Sequence, residues 1–162
     1  MTAHHRPDAA PAVDGAALRV AVIRARWNTE IIDRLAVGVA HALDRAGVVH
    51  RRDLTVAGSL ELPFAAKVVA EAGDVDAIVC LGTVVRGETT HYDLVANGCA
   101  TGLQRVQLDT GVPIGFGVLT VEDLDQARAR SEVPPGPNAG ADATEAALEL
   151  AAMVRTLTGV PG

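Results

Sequence analysis

Large rings are nearly missing from this chain: its 162 residues include one Trp, one Tyr and two Phe, 2% in all. A base-stacking platform needs several exposed rings, so single-stranded nucleic acid is not an expected partner. A basic excess is lacking too. Fourteen Lys and Arg stand against twenty Asp and Glu, a net charge of −6, the wrong sign for a surface that tracks phosphate backbones. The two cysteines, Cys80 and Cys99, are too few for a disulfide framework, and neither sits in a Cys-x-x-Cys pair. Cys80, within the apolar run 77–81, reads as a small buried hydrophobe, and reduced thiols fit a cytoplasmic location. No stretch approaches the ~20 apolar residues of a membrane span, and the first residues hold no apolar signal segment. His-Glu-x-x-His, His/Cys clusters and Gly-x-Ser-x-Gly are absent, so neither a metal site nor serine-hydrolase chemistry is expected. Walker A and Gly-x-Gly-x-x-Gly are also absent, which disfavours nucleoside triphosphates and dinucleotides.

What remains is an ordinary globular balance, 49% hydrophobic and 21% charged, long enough for one core without staples. That core must come from Ala, Val, Leu and Ile. Residues 1–16, rich in Pro, Ala and Asp and including His4 and His5, read as a disordered or loosely attached tail before a single domain at 17–162.

Short apolar runs at 18–23, 54–56, 76–81 and 112–119 read as strands. Between them Ile31, Ile32, Leu35, Val39 and Leu43 recur at helical spacing, with Asn28 or Thr29 as a cap and Gly47 as the stop. Pro63 opens a second helix that breaks at Gly73. Residues 82–90 read as a loop, 91–103 as a helix, 120–130 as another, and 141–157 as an Ala-rich closing helix. Strands alternating with helices predict an α/β fold around a four-stranded parallel sheet. Ligands then belong at the carboxyl ends of the strands.

The segments after the strands carry the chemistry. Arg86-Gly87-Glu88-Thr89-Thr90-His91 is a glycine turn feeding a helix N-terminus, whose free N–H groups and dipole suit a phosphate. His91 is placed to shuttle protons there, or is simply a surface histidine. Glu61 either fixes a polar ligand or charges the start of the second helix. Trp27 either stacks on a planar substrate or packs. Phe116, between Gly115 and Gly117, lies where a ligand or another backbone can come close. Arg128 and Arg130 can neutralise phosphate, or line a solvated helix face.

Taken in order, Ala25-Arg26-Trp27-Asn28, Gly58-Ser59-Leu60-Glu61-Leu62-Pro63, Leu81-Gly82-Thr83-Val84-Val85-Arg86-Gly87-Glu88-Thr89-Thr90-His91-Tyr92-Asp93 and Pro113-Ile114-Gly115-Phe116-Gly117-Val118-Leu119-Thr120 resemble the lumazine synthase family over about 18–157. The resemblance implies a flavodoxin-like three-layer fold with sheet order 2-1-3-4. It also implies condensation of 5-amino-6-(D-ribitylamino)uracil with 3,4-dihydroxy-2-butanone 4-phosphate, without metal or organic cofactor. In that scheme Trp27 stacks on the pyrimidine, with Asn28 beside it in the same segment. Ser59, Leu60 and Glu61 line the ribityl and pyrimidine site. Thr83, Val84 and Val85 contact the pyrimidine edge through backbone. Gly87, Glu88 and Thr89 form the phosphate turn, with the Glu88 side chain turned to water, and His91 transfers protons. Phe116 and Arg130 come from a neighbouring subunit, Arg130 facing the phosphate. Pentamers or multiples of them, up to an icosahedral shell, are implied, as is riboflavin synthase as a possible partner. One position departs: where the family usually has Lys before Gly, this chain has Ala139. The alternative that this motivates is a weakly catalytic paralogue that binds flavin-like ligands or builds a shell.

Overall fold

The computed structural model describes residues 8–159. Its elements run β1 (Arg19–Ala25), α1 (Thr29–Ala46), β2 (His50–Val56), a 3-10 turn (Ser59–Glu61), α2 (Leu62–Ala72), β3 (Ala77–Val85), α3 (His91–Thr110), β4 (Ile114–Val121), α4 (Leu124–Ala129) and α5 (Ala139–Thr158). The strands pair in parallel in the order β2-β1-β3-β4. Parallel neighbours cannot be joined by a hairpin, so helices make the crossovers. The result is the expected α/β three-layer sandwich.

Side-chain alternation divides the core in two. Val20, Val22, Ala77, Val79 and Leu81 point to the layer of α1 and α5, where they meet Leu35, Val39 and Leu148. Ala21, Ile23, Ile78 and Cys80 point the other way, to Leu62, Val69 and Leu103 of α2 and α3. With both faces of β3 covered, its sequence must be apolar without interruption. No ring is needed: each fully buried Leu, Ile or Val contributes about 1.5–3 kcal/mol. Burial pushes the Cys80 thiol up and the Cys99 thiol to about 11, so both stay protonated and unreactive.

The element boundaries differ from the sequence expectation where pairing partners are remote. β3 does not end at Leu81 but continues through Val85, because β4 pairs with it from Gly82↔Val118 to Val85↔Val121. For the same reason Thr120 lies in β4, and α4 starts only at Leu124, capped by Asp123, whose carboxylate accepts from Gln126 N (2.9 Å). β2 begins at His50 rather than Leu54. Its polar start pairs with β1 as an exposed edge, where Arg51 and Arg24 both reach Asp53. α3 runs two turns beyond Leu103, to Thr110, and stops at Gly111 with φ of 71°. The glycine at 115 serves a backbone contact rather than a ligand: a Cβ there would run into the Ala143 carbonyl of α5.

From Val13 the leading segment lies against the α1/α5 core, and Gly15 N donates to Ala46 O (2.7 Å). His4 and His5 lie outside the described residues.

Asp76 ties three segments together. Its carboxylate accepts from Arg19 N (2.8 Å) and Arg19 Nε (3.1 Å), and from Arg155 Nη2 of α5 (3.5 Å). Partial burial pushes the carboxyl up, but the Arg19 hydrogen bonds and the two guanidinium charges outweigh it and hold the group below its ordinary range. A depressed folded-state value means that the stabilisation is present at neutral pH and is lost as pH falls through that lowered range. Asp76→Asn is therefore expected to cost about 2 kcal/mol at pH 7. In urea unfolding the gap to the parent should shrink toward pH 3, and a gap that does not depend on pH would refute the assignment.

Candidate active site

The carboxyl ends of β1, β2 and β3 gather one cluster. Trp27 follows β1 with its ring 71% exposed. Its Cδ1 and the Glu61 carboxylate both crowd the Cα of Gly58, 3.1 and 3.2 Å from where a Cβ would stand. Glu61 Oε2 accepts from Gly58 N (2.8 Å), so the carboxylate shapes the turn, while Oε1 accepts no hydrogen bond among the described residues. Ser59 is buried, with its hydroxyl pressed over the bare Cα of Gly82, which any side chain at 82 would displace. Leu60 is half exposed and packs on Gly98 of α3.

Asn28 does not cap α1 with its side chain. It takes a left-handed backbone conformation, φ 58°, which Asn tolerates better than most residues. Its Nδ2 is thereby turned to donate to Thr83 O across the sheet end (3.0 Å). Thr83 and Val84 are buried and Val85 half-buried, at the end of β3. The Thr83 hydroxyl is buried and has no hydrogen-bond partner among the described residues.

Beyond β3 the chain turns through Gly87, Glu88 and Thr89, all exposed, whose N–H groups donate to no acceptor among the described residues. Thr89 Oγ1 accepts from His91 N (3.3 Å), which closes the turn onto the first residue of α3. Open amides at the head of a 20-residue helix form an anion-binding arrangement. The His91 ring is exposed beside them, and the Glu88 side chain is also exposed.

Phe116 and Arg130 stand apart. Phe116 pairs with Cys80, three residues before Thr83 in register, or about 10 Å along the strand. It is 44% exposed over Ala100 and Leu103 of α3, in an open depression of about 320 Å³. Arg130 is exposed at the end of α4, donates to Gln126 O (3.0 Å) and makes no ion pair among the described residues. Arg128 is committed elsewhere: it bonds Glu30 (3.0 Å) and Asp125 (3.0 Å) and holds the Glu30 carboxyl below its usual range. Among the described residues no hydrogen bond or ion pair joins Phe116 or Arg130 to Trp27 or Glu61.

The model of the family described as 6,7-dimethyl-8-ribityllumazine synthase matches residues 17–155. The chain belongs to that family. It is 45% identical to the 6,7-dimethyl-8-ribityllumazine synthase of Kineococcus radiotolerans over 150 residues, 92% of each chain. The protein of that name from Thermococcus gammatolerans is 46% identical over 143 residues, 88% of this chain and 92% of its own. That of Clavibacter michiganensis subsp. michiganensis is 40% identical over 161 residues, 98% of this chain and 99% of its own.

Against the lumazine synthase pattern, the departure at Ala139 has a definite place. Ala139 is the first residue of α5, and its N–H donates to Arg130 O (2.9 Å). The position without an ammonium is thus hydrogen-bonded to the backbone of Arg130, whose guanidinium donates to Gln126 O and makes no ion pair among the described residues. The sequence assigns no role to the Arg86 side chain, which the structure places at a junction. Arg86 leaves the end of β3 and bonds Glu122 at the end of β4 (3.0 Å), with its guanidinium carbon 4.2 Å from the centre of the Tyr92 ring. Arg86 and Glu122 are 36 residues apart, so no local spacing announces the pair; only the β3–β4 register does. No group of three or more His, Cys, Asp or Glu able to hold a metal occurs among the described residues, and no helix among them is long and apolar enough to cross a membrane.

Proposed function

We propose that the chain is a lumazine synthase, a transferase of riboflavin biosynthesis. It joins 5-amino-6-(D-ribitylamino)uracil to 3,4-dihydroxy-2-butanone 4-phosphate to give 6,7-dimethyl-8-ribityllumazine. The observation that carries this reading is one cluster in a chain of that family: an exposed Trp27, a Glu61-locked turn and the open amides of 87–89 beside His91.

The pyrimidine lies on the Trp27 ring with its edge along the backbone of 83–85, and its ribityl chain runs toward Ser59 and Glu61 Oε1. The phosphate of the second substrate takes the N–H groups of the Gly87–Thr89 turn. An amine of the pyrimidine attacks the ketone, and loss of water gives an imine. Elimination of phosphate and ring closure with loss of water follow. Such a reaction gains most from holding two reactants in register and from a proton carrier at hand. His91 is that carrier, since imidazole exchanges protons near neutral pH.

Phe116 and Arg130 complete the site of an adjacent subunit, which accounts for their distance from the cluster in one chain. The assembly is a pentamer or a multiple of pentamers, it works in the cytoplasm, and riboflavin synthase, which uses its product, is a candidate partner. Light scattering separates the assemblies.

Mixing the pure protein with both substrates should yield lumazine absorbance well above the uncatalysed rate. No excess over that background would overturn the reading in favour of a binding or shell-forming paralogue. His91→Ala should lower kcat by about a hundredfold. Full retention of rate would remove His91 from the proton path.

A further inference from the structure

Arg86 occupies a junction that the substrate roles above do not use. Its backbone N–H donates to Val121 O (2.9 Å), the last rung that holds the end of β3 to β4. Its Nε lies 3.0 and 2.9 Å from the two Glu122 oxygens, its Nη1 lies 3.8 Å from Asp93 Oδ1, and its guanidinium carbon sits 4.2 Å from the Tyr92 ring centre. One side chain thus holds three things: the residue before the Gly87–Thr89 turn, the first turn of α3, and the peptide that leads into α4. Glu122 is itself fixed, since its N–H donates to Gln126 Oε1 (2.9 Å). Among the described residues, the hydrogen bond that Thr89 Oγ1 accepts from His91 N is the one tie within the turn between these anchors. Its open amides converge on an anion only if both of its ends are held.

We propose that Arg86 is a positioning residue for the phosphate turn. It acts through Glu122 and Tyr92 and does not touch the phosphate itself. The ion-pair geometry favours this over direct contact: Nε points at Glu122, and the planar group lies against the Tyr92 ring, an arrangement suited to guanidinium and not to ammonium. The inference rests on the reading that the 87–89 turn receives the substrate phosphate.

The test is a double-mutant cycle on the assembled protein with Arg86→Met, Glu122→Gln and both together. Steady-state kinetics are run with each substrate varied, and inorganic phosphate binding is measured by calorimetry. Arg86→Met should raise KM for the phosphate-bearing substrate and the Kd for inorganic phosphate by about tenfold, because small misplacements of binding groups are costly. KM for the pyrimidine and the melting temperature should hardly change. Glu122→Gln should move the same two constants in the same direction, and the double variant should be no worse than Arg86→Met alone. Arg86→Met without effect on phosphate binding would overturn the proposal, as would an equal rise in both KM values. Glu122→Gln that leaves phosphate binding unchanged or tighter while Arg86→Met weakens it would also overturn it, by making Arg86 a direct phosphate ligand. The calorimetry does not depend on turnover. A protein that made no lumazine would still show whether Arg86 shapes an anion site, so the two readings fail separately.

Discussion

Replacing Arg130 with methionine is expected to lower kcat/KM for the phosphate-bearing substrate by about a hundredfold. A bidentate guanidinium–phosphate pair is among the stronger polar contacts, and losing one costs about 1.5–3 kcal/mol, which is about 10- to 100-fold. The upper end applies here because the other guanidiniums are engaged by carboxylates, Arg86 by Glu122 and Asp93. Arg128 is engaged by Glu30 and Asp125, and Ala139 provides no ammonium beside Arg130. Arg128→Met should therefore have a much smaller effect. The converse experiment adds the missing charge. Ala139→Lys should raise kcat/KM severalfold, less a small penalty of about 0.3–1 kcal/mol for a cation at a helix N-terminus. Kinetics with each substrate varied in turn check both variants. An Ala139→Lys enzyme without gain would mean that Arg130 alone saturates the need for charge.

Asn138→Ala should cost about 3–4 kcal/mol and lower the melting temperature by about 10 °C. Asn138 is 2% exposed at the head of α5. Its Nδ2 donates to Arg34 O (3.0 Å) and Glu132 O (2.9 Å), and its Oδ1 accepts from Ala141 N (3.1 Å). Alanine removes the helix cap and takes the Asn138 amide donor away from two part-buried carbonyls, those of Arg34 and Glu132. Gly38 faces this amide with no side chain, and a Cβ there would overlap it, so α1 cannot close in to fill the gap. The loss should extend to activity, because the Asn138–Ala139 peptide holds Arg130 in place. Thermal unfolding at a fixed protein concentration tests the first part, and kcat/KM of the folded variant the second.

The features legible in the sequence were those set by neighbours along the chain. The alternation of strands and helices, the Pro63 start and the stops at Gly47 and Gly73 all follow from local spacing, and each is found in the fold. The ends of β3 and β4 were not legible, because what makes Gly82 to Val85 a strand is pairing with residues 36 positions on. Asn28 shows the same limit at the site. It looks like a helix cap, yet its amide serves Thr83, 55 positions away. The candidate site was legible mainly as motif. Trp27, Glu61 and the 87–89 turn each have an ordinary explanation taken singly, and they follow the carboxyl ends of β1, β2 and β3 at the same end of the sheet. Phe116 and Arg130 are harder still: a single chain leaves them outside the cluster, and only the family pattern assigns them to the site.

The scarcity of rings gives this protein a built-in optical reporter. Its one indole is Trp27, exposed on the cluster rather than lost in the core. All of its tryptophan emission therefore originates at the place where a pyrimidine would stack. Titration with the pyrimidine substrate or the lumazine product should quench that emission in step with occupancy. Emission that stayed unchanged at saturation would show that the ligand lies elsewhere. No label is needed, and variants too slow to assay by turnover, such as His91→Ala, can be ranked by affinity alone.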